Sequence, residues 1–211
     1  MVNYIRLINK EHPLSEDYIP ENLVDTGIPF DALPGDPKRL MEIKAAEAAH
    51  YLFVAAHKEG LHLFGISGYR SYSRQKELYN GSPYIAAPGT SEHQSGLALD
   101  VSSPSNNLEL TASFAQTPEG MWLAKNASLY GYLLRYPENK EAVTGVPAEP
   151  WHIRYVGKEL ACCLALTGLT LEEYHRIIDP HSPDLRLPKA SSPADSKTAC
   201  RATNTFPQLS S

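Results

Sequence analysis

The sequence predicts an α+β fold, with one domain built from a small, mainly antiparallel sheet and helices packed on one side of it. The chain has 211 residues, enough for one domain with a full core and too few for two. Hydrophobic residues make up 42% of the chain and charged residues 20%, as in an ordinary globular protein. The order in which helical and strand-like patterns follow each other is typical of the α+β class.

The chain is acidic overall, with a formal net charge of -5 and an isoelectric point near 5.9. A net-acidic surface is not attracted to phosphate backbones or anionic lipid, so we expect no nucleic-acid partner and no membrane surface. No run of roughly 20 apolar residues and no secretory signal is evident, which predicts no membrane span. We therefore expect a cytoplasmic protein, or one at the cell surface or outside the cell if an export segment is missing from this sequence.

The cysteines indicate a reducing compartment. Cys162 and Cys163 lie side by side in an apolar stretch, and Cys200 lies in a polar tail. Their odd number and the absence of a C-x-x-C pattern predict reduced, buried thiols rather than a disulfide or a metal cluster.

The first part of the chain divides into a strap and a helix. Residues 1–36 are rich in proline, aspartate and glutamate, which predicts an extended strap outside the core. A long helix is expected next, because Asp36 can cap it, Pro37 suits its first turn and Gly60 can end it. Apolar residues recur between them at near-helical spacing, namely Leu40, Met41, Ile43, Ala46, Leu52 and Val54.

The remaining elements are predicted from shorter patterns. Strands are expected where apolar or alternating residues form compact runs, at 61–66, 97–101, 132–136 and 151–156. Helices are expected at 74–79, 118–130, 158–166 and 170–178. The last helix carries a capping box, with Glu173 three residues after Thr170. The composition beyond Pro180 predicts a loosely structured tail over 181–211, so the catalytic domain is expected to span 1–180.

Two separate stretches carry residues that can bind a metal. His93 lies on the loop that enters the apolar strand at 97–101, and Asp100 lies within that strand. A buried carboxylate needs a partner, and a divalent cation is a strong one. His152 stands near the start of a later strand, with Glu149 three residues before it. Two imidazoles and one carboxylate form a three-ligand set that leaves a fourth tetrahedral position open, as in catalytic zinc sites.

Each of these residues also fits an ordinary structural role when taken singly. A histidine beside a strand is often a hydrogen-bonded structural residue, and Asp100 could cap a helix or pair with an arginine. If the metal is present, Glu149 is the candidate for moving a proton between water and the leaving amine.

The motifs resemble those of a known family. The pattern Ser-x-His-x-x-Gly-x-Ala-x-Asp, followed later by Glu-x-x-His with tryptophan before the second histidine, is similar to the signature of the VanY-type D-alanyl-D-alanine carboxypeptidases and their VanX dipeptidase relatives. It is carried here by Ser91, His93, Gly96, Ala98, Asp100, Glu149, Trp151 and His152. The upstream segment Gly68-Tyr69-Arg70-Ser71 also resembles the family. The likeness covers residues 5–178.

The resemblance assigns roles to these positions. His93, Asp100 and His152 would bind Zn²⁺, and Glu149 would be the general base. Arg70 would bind the substrate carbonyl or its terminal carboxylate, for which a planar guanidinium is suited. Four further polar residues are expected to line the substrate pocket: Ser71, Gln75, Ser91 and Tyr155.

The expected function is hydrolysis of the terminal D-alanine bond of a cell-wall peptide or of the D-Ala-D-Ala dipeptide, and cytoplasmic relatives combine both activities. Within the same chemistry, an L,D-carboxypeptidase or a peptidoglycan endopeptidase stays open. A zinc-containing module that binds cell-wall peptide without cutting it is the alternative from another class, and a structural zinc protein is a third. Ser73 and Lys76 match the Ser-x-x-Lys pattern of penicillin-binding proteins, but no Lys-Thr-Gly partner follows them.

Overall fold

The structure is a computed structural model that describes residues 2–82 and 85–179. It contains two antiparallel sheets. The smaller sheet pairs β1 (Leu23–Asp25) with β2 (Leu40–Glu42). The central sheet has four strands in the order β3-β4-β6-β5, namely β3 (Phe64–Ser67), β4 (Ala98–Ser102), β5 (Tyr132–Tyr136) and β6 (Glu149–Tyr155). The predicted α+β class is confirmed, and the tail predicted at 181–211 lies outside the described residues.

Six α-helices accompany the sheets in the described ranges. They are α1 (Ile43–Lys58), α2 (Tyr72–Leu78), α3 (Pro118–Asn126), α4 (Glu141–Thr144), α5 (Lys158–Thr167) and α6 (Leu171–Ile178). The predicted helix at 118–130 is α3 followed by a short 3-10 helix, Ala127–Tyr130. The capping box at the start of α6 is confirmed, since Thr170 and Glu173 exchange side-chain to backbone hydrogen bonds.

Strand alternation divides the central sheet into an apolar and a polar face. Leu99 of β4 and Ile153 of β6 pack in the main core with Leu52 of α1 and Leu123 of α3. Leu133 of β5 belongs to a second cluster with residues of α5 and α6. Because neighbouring residues of a strand point to opposite faces, the residues between the core positions of β4 and β6 point away from α1. That polar face carries the predicted ligands.

The long helix begins later than predicted. It starts at Ile43 rather than near Pro37, and its cap is Glu42, whose carboxylate accepts hydrogen bonds from the backbone of Lys44 and Ala45. Asp36 caps only a short 3-10 helix, Pro37–Arg39. Residues 40–42 form β2 because β1 pairs with them, and the periodicity of residues 37–60 contains no information about a partner at 23–25.

The predicted strap is fixed to the domain at several places. The buried Arg154 donates from Nη2 to the carbonyls of Tyr4 and Arg6, at 3.2 and 2.9 Å. His175 of α6 contacts the carbonyl of Ile5 at 2.6 Å. Further along, the side-chain amide of Gln94 donates to the carbonyl of Ser15 at 2.9 Å. The first part of the chain is therefore built into the domain.

Two other sequence-based expectations can be compared with the structure. Cys162 is partly buried and its thiol donates to the carbonyl of Ser128, but Cys163 is exposed, so the expectation of buried thiols is wrong for Cys163. Neither of these two cysteines forms a disulfide.

Within residues 2–82 and 85–179, no helix is long and apolar enough to cross a membrane.

Candidate active site

The central sheet places a carboxylate and an imidazole next to each other. Asp100 in β4 lies directly opposite His152 in β6 in the antiparallel register. Side chains at such opposed positions point to the same face and come close together. Asp100 Oδ1 lies 2.9 Å from His152 Nδ1, and both residues are buried.

His93 reaches the same carboxylate from the 3-10 helix Glu92–Ser95, just before β4. Gly96 ends this helix with a φ of 71°, a left-handed conformation that favours glycine and lets the chain turn into the strand. His93 Nδ1 donates to the carbonyl of Gly68 at 2.7 Å, and its Nε2 lies 3.1 Å from Asp100 Oδ2. Because a carbonyl only accepts, neutral His93 carries its proton on Nδ1 and points the lone pair of Nε2 at Asp100.

The three predicted ligands fit a metal ion. One ligand atom from each of His93, Asp100 and His152 lies within 4.8 Å of the other two, and all three residues are buried. A lone pair that faces a carboxylate oxygen is repulsive unless a cation lies between them. Burial lowers the pKa of His93, although Asp100 opposes this, so a proton on Nε2 is disfavoured. Two imidazoles and one carboxylate are the ligands of a catalytic zinc site with an open fourth position.

The second ring nitrogen of His152 faces the buried carboxylate of Glu92. Nε2 lies 3.5 Å from Glu92 Oε2, and neither atom has a closer hydrogen-bond partner in the described ranges. Burial lowers the pKa of His152, but the hydrogen bond to Asp100 and the nearby carboxylate of Glu92 outweigh it and raise the pKa to about 9. Carboxylates behind metal-binding histidines orient the ring in this way. Glu92 therefore holds the imidazole so that Nδ1 points at the metal position.

Glu92 belongs to a cluster of four buried charges. Its Oε1 accepts hydrogen bonds from Arg135 Nε and Arg154 Nη1, each at 2.8 Å. Arg135 also donates two hydrogen bonds to Glu172 in α6, at 2.8 and 2.5 Å. Burial raises the pKa of Glu92, but the two guanidiniums outweigh burial and hold the pKa well below its usual range. The cluster keeps Glu92 ionised beside His152.

Glu92 and both arginines were not predicted as functional residues from the sequence. Glu92 precedes His93 within the motif, Arg135 interrupts an otherwise apolar and aromatic strand, and Arg154 lies between Ile153 and Tyr155 in β6. A charge in a buried strand requires a partner, and that was the available signal. The partners are 43 and 62 residues away from Glu92 in sequence, so only the fold connects them.

Glu149 is turned towards the site by an irregularity in β6. In a regular strand, residues three apart such as Glu149 and His152 point to opposite faces. Here Leu134 pairs with Ile153 and Tyr136 with Glu149, so β6 uses two more residues than β5 over this step. Glu149 Oε2 thereby lies 3.9 Å from His152 Nδ1. Burial raises the pKa of Glu149 to about 7, although His152 opposes the rise, and such a carboxyl can both accept and donate a proton near neutral pH.

Arg70 follows β3 and brings a positive charge to the site. Its Nη1 donates to Gln75 Oε1 and its Nη2 to Ser67 Oγ, both at 3.0 Å. Nη2 also lies 3.8 Å from Asp100 Oδ2. Gln75, predicted to line the pocket, also positions Arg70, and its amide donates to the carbonyl of Ala86 at 2.6 Å. The side chain of Arg70 is 22% exposed, so the guanidinium is fixed yet accessible to a ligand.

A cavity of about 600 Å³ lies over these groups. Seven of the predicted site residues line it, namely Arg70, Gln75, Ser91, His93, Asp100, Glu149 and His152. Two are placed elsewhere. Ser71 caps α2, with its hydroxyl accepting from the backbone of Arg74, and Tyr155 packs edge-on against Tyr4 and Tyr132. The aromatic residues Tyr136 and Trp151 also line the cavity and were not predicted as substrate contacts.

The geometry identifies the class of protein. A carboxyl beside three buried side chains that could hold a metal ion is the arrangement of a zinc metallopeptidase, and this chain is one. Comparison with known proteins identifies the family. The family model VanY, D-alanyl-D-alanine carboxypeptidase, matches residues 38–158, and the chain belongs to that family.

Three curated relatives illustrate the likeness. YodJ of Bacillus subtilis (strain 168) is 43% identical over 182 residues, which cover 82% of this chain and 67% of YodJ. The bifunctional D-Ala-D-Ala dipeptidase and D-Ala-D-Ala carboxypeptidase VanXYC of Enterococcus gallinarum is 34% identical, with 82% of this chain and 94% of VanXYC covered. The D-alanyl-D-alanine carboxypeptidase of Enterococcus faecium is 37% identical over 80% of this chain, which spans only 56% of that protein.

Two solved structures share the fold. The LD-carboxypeptidase LdcB superimposes with a TM-score of 0.77 and 44% identity, over 80% of this chain and 84% of LdcB. The vancomycin resistance D,D-pentapeptidase VanY, solved as a mutant with Zn(II), gives a TM-score of 0.67 and 30% identity, over 82% of this chain and 99% of that one. The zinc of the second structure and the ligand set of this chain together confirm the predicted cofactor.

Proposed function

We propose that this protein is a zinc-dependent D-alanyl-D-alanine carboxypeptidase that removes the terminal D-alanine from peptidoglycan precursors or muropeptides. The observation that carries the proposal is the convergence of three metal ligands, Glu149 and Arg70 on one cavity. Family membership supports the choice of bond, and the bifunctional relative VanXYC supports activity on the free dipeptide as well.

His93, Asp100 and His152 would hold the zinc, which supplies Lewis-acid polarisation of water and of the scissile carbonyl when bound. Glu149 takes a proton from the attacking water on Oε2 and later delivers it to the nitrogen of the leaving D-alanine. Its pKa of about 7 suits both transfers, because neither form of the carboxyl is strongly preferred at neutral pH.

Arg70 has two possible contacts in this proposal, the scissile carbonyl oxygen and the terminal carboxylate of the substrate. Ser67 and Gln75 fix the guanidinium from behind, so little side-chain freedom is lost when a ligand binds. A charged donor held in this way stabilises negative charge that develops on the carbonyl oxygen during attack.

A substrate panel tests the function directly. The zinc-loaded protein is incubated with D-Ala-D-Ala, a muropeptide pentapeptide and a tetrapeptide, each with and without chelator, and released D-alanine is measured. Release from the pentapeptide, lost with chelator and insensitive to penicillin, is the expected result. No D-alanine from either the pentapeptide or the dipeptide would refute the proposal.

Replacing Glu149 separates an enzyme from a binding module. We expect Glu149→Ala to lower kcat by about 10² to 10⁴, because proton transfer is lost, while the zinc content stays unchanged. Zinc content is measured on the purified variant alongside the rate of D-alanine release. Glu138→Ala, an exposed position outside the cavity, serves as the control. A wild-type protein that binds the pentapeptide but never releases D-alanine indicates the module that binds without cutting.

L,D-carboxypeptidase activity is the second candidate, favoured by the 44% identity with LdcB. Such an enzyme removes D-alanine from the tetrapeptide, where the residue before the scissile bond has the L configuration. The tetrapeptide arm of the panel distinguishes the two activities, since a strict D,D-carboxypeptidase leaves it intact. Cleavage inside the peptide without release of D-alanine indicates an endopeptidase.

The compartment and the domain limits are further proposals. The unpaired Cys162 and Cys163 support a reducing compartment, here the cytoplasm, and the alternative is the cell surface. Fractionation of cells with an antibody to the protein tests this. A catalytic domain over residues 1–180 is supported by the position of all site residues within it, and a chain ending at residue 180 is expected to keep full activity.

A further inference from the structure

We propose that the active-site cavity is one end of a longer groove, in which Lys10 binds a carboxylate on the acyl side of the peptide. This inference rests on the proposed function and adds a specificity contact, between Lys10 and an acidic group upstream of the scissile bond.

The groove is formed by two adjoining cavities. The second cavity, of about 920 Å³, lies between the strap, the segment 142–145 and α6. It shares four lining residues with the active-site cavity, namely Asn9, Lys10, Thr144 and Gly145. Because the same residues line both spaces, the two cavities adjoin at these residues. An extended dipeptide spans only about 7 Å, so a ligand that occupies both cavities is a longer peptide.

The wall that carries Lys10 is held in place on both sides. The carbonyl of Arg6 accepts from Arg154 at 2.9 Å, and the backbone of Leu14 donates to the carbonyl of Gly89 at 2.8 Å. Between these points, Asn9 Oδ1 accepts from the backbone of Glu11 and His12, both at 3.0 Å, and forms a tight turn around Lys10. The backbone of Lys10 therefore has a fixed place at the junction of the cavities.

The opposite wall is fixed as well. It consists of the end of α4 and the residues that follow, and Lys140 at the start of α4 contacts both carboxylate oxygens of Glu173 in α6, at 2.8 and 2.9 Å. Gly145 has a φ of 71°, which turns the chain beside the junction. Two anchored walls make a preformed groove, and a preformed groove loses little entropy when a ligand binds.

The charge at the junction favours an anionic ligand. Lys10 is exposed and has no ion pair or hydrogen bond from its ammonium group in residues 2–82 and 85–179. The second cavity is also lined by Arg6 and Arg176, and of its acidic residues Glu172 is neutralised by Arg135. Glu11 and Asp179 line it too, so Lys10 at the junction, rather than the whole cavity, is the candidate anion site.

The chemistry of stem peptides supplies a matching group. In a peptide linked through the side chain of D-glutamate, the α-carboxylate of that residue remains free on the acyl side of the scissile bond. A diaminopimelate residue in the third position offers a second carboxylate. Both are the same chemical group at different places along the peptide, and an ammonium pairs with either.

The test is a two-by-two comparison. Wild-type protein and Lys10→Gln are assayed for kcat/KM on a pentapeptide with a free glutamyl α-carboxylate and on the same peptide with that group amidated. We expect the wild type to prefer the free acid by about threefold to tenfold, and the preference to fall to about one in the variant. If amidation has no effect, the same comparison with lysine or diaminopimelate in the third position locates the carboxylate there. The proposal is overturned if Lys10→Gln lowers kcat/KM by the same factor on every peptide, or lowers it on none.

Failure of the Lys10 proposal can be told apart from failure of the proposed function. A wild-type protein that cuts no peptide refutes the function, and the groove is then tested by titration calorimetry with the tripeptide L-Ala-γ-D-Glu-L-Lys, as free acid and as glutamyl amide. Tighter binding of the acid by the wild type but not by Lys10→Gln supports the groove, whereas equal or absent binding overturns it. Lys125→Gln, an exposed lysine that lines neither cavity, is the matched control and should keep the wild-type preference.

Discussion

Each histidine of the candidate metal site uses one ring nitrogen for the protein, and its other ring nitrogen would be free to bind an ion. His93 donates from Nδ1 to a backbone carbonyl, and His152 points Nε2 at the buried carboxylate of Glu92. The two rings therefore offer opposite nitrogens, Nε2 from His93 and Nδ1 from His152, to one carboxylate. Their orientation is set before any ligand arrives, because both outer partners are buried.

Glu92 gives a prediction at the scale of a single residue. We expect Glu92→Gln to weaken zinc binding by about 10-fold to 100-fold, because a neutral amide holds the imidazole of His152 less strongly than a carboxylate does. Competition with a chromophoric chelator measures the affinity, and circular dichroism at the same temperature verifies that the variant is folded. The exposed substitution Glu16→Gln is the control. Unchanged zinc affinity in folded Glu92→Gln contradicts the role given to Glu92.

The motif predicted five residues that the structure brings to one cavity, namely His93, Asp100, His152, Glu149 and Arg70, but the remaining contacts depended on tertiary structure. Ser71 follows Arg70 in the motif, yet it lies at the start of α2, where its hydroxyl caps the helix. Tyr155 lies three residues after His152, on the opposite face of β6 in a regular strand, and it packs among tyrosines. Adjacency in sequence does not determine which face of an element a side chain occupies.

At the scale of elements, the buried charges connect four separate parts of the fold. Glu92 comes from the 3-10 helix before β4, Arg135 from β5, Arg154 from β6 and Glu172 from α6. Glu172 binds Arg135, Arg135 binds Glu92, and Glu92 lies beside His152. Through these contacts α6 helps to hold His152 in place. Periodicity could predict α6 and its cap, but it contains no information about this connection.

Removing the carboxylate of Glu172 is expected to destabilise the protein. Glu172→Ala leaves Arg135 buried with one of its two acidic partners missing, which should lower the free energy of unfolding by about 3 kcal/mol. Lys140→Ala breaks the partly exposed pair with Glu173 and should cost about 1 kcal/mol or less. Urea denaturation followed by fluorescence measures both. If both variants lose the same free energy of unfolding, burial of the Arg135–Glu172 pair does not increase its contribution to stability.

The late start of α1 shows why element boundaries are harder to predict than element types. The apolar residues Leu40 and Met41 fit a helical period, and Pro37 favours a first turn. Pairing with β1 nevertheless makes residues 40–42 a strand, and Glu42 then caps the helix. The pairing of Val24 with Met41, 17 residues apart, prevails over the local preference of residues 40–42 for a helix. Tertiary contacts often override local propensity in this way.

At the scale of the whole molecule, the metal site joins parts that come from distant regions of the sequence. The three candidate ligands lie on β4, on β6 and on the 3-10 helix before β4, and the strap is attached to the same region through Arg154. An ion that binds only the folded arrangement stabilises all of these parts together.

Chelation should therefore lower the melting temperature. With free zinc at about 100 times its dissociation constant, binding contributes about 2.7 kcal/mol, which corresponds to about 5 to 10 °C in a chain of this size. Differential scanning fluorimetry with zinc and with EDTA measures the difference. Asp100→Asn, which weakens the ligand set, should show a much smaller response to EDTA. A melting temperature that is the same in zinc and in EDTA contradicts a zinc site at these residues.

The direct pairing of Asp100 with His152 has a consequence for folding. A one-residue slip between β4 and β6 would send one of the two side chains through to the apolar side of the sheet. A misaligned chain would then lack a ligand, so zinc captures only molecules whose strands are correctly matched. A zinc ion held by these residues would therefore stabilise only chains in which β4 and β6 pair in the native register.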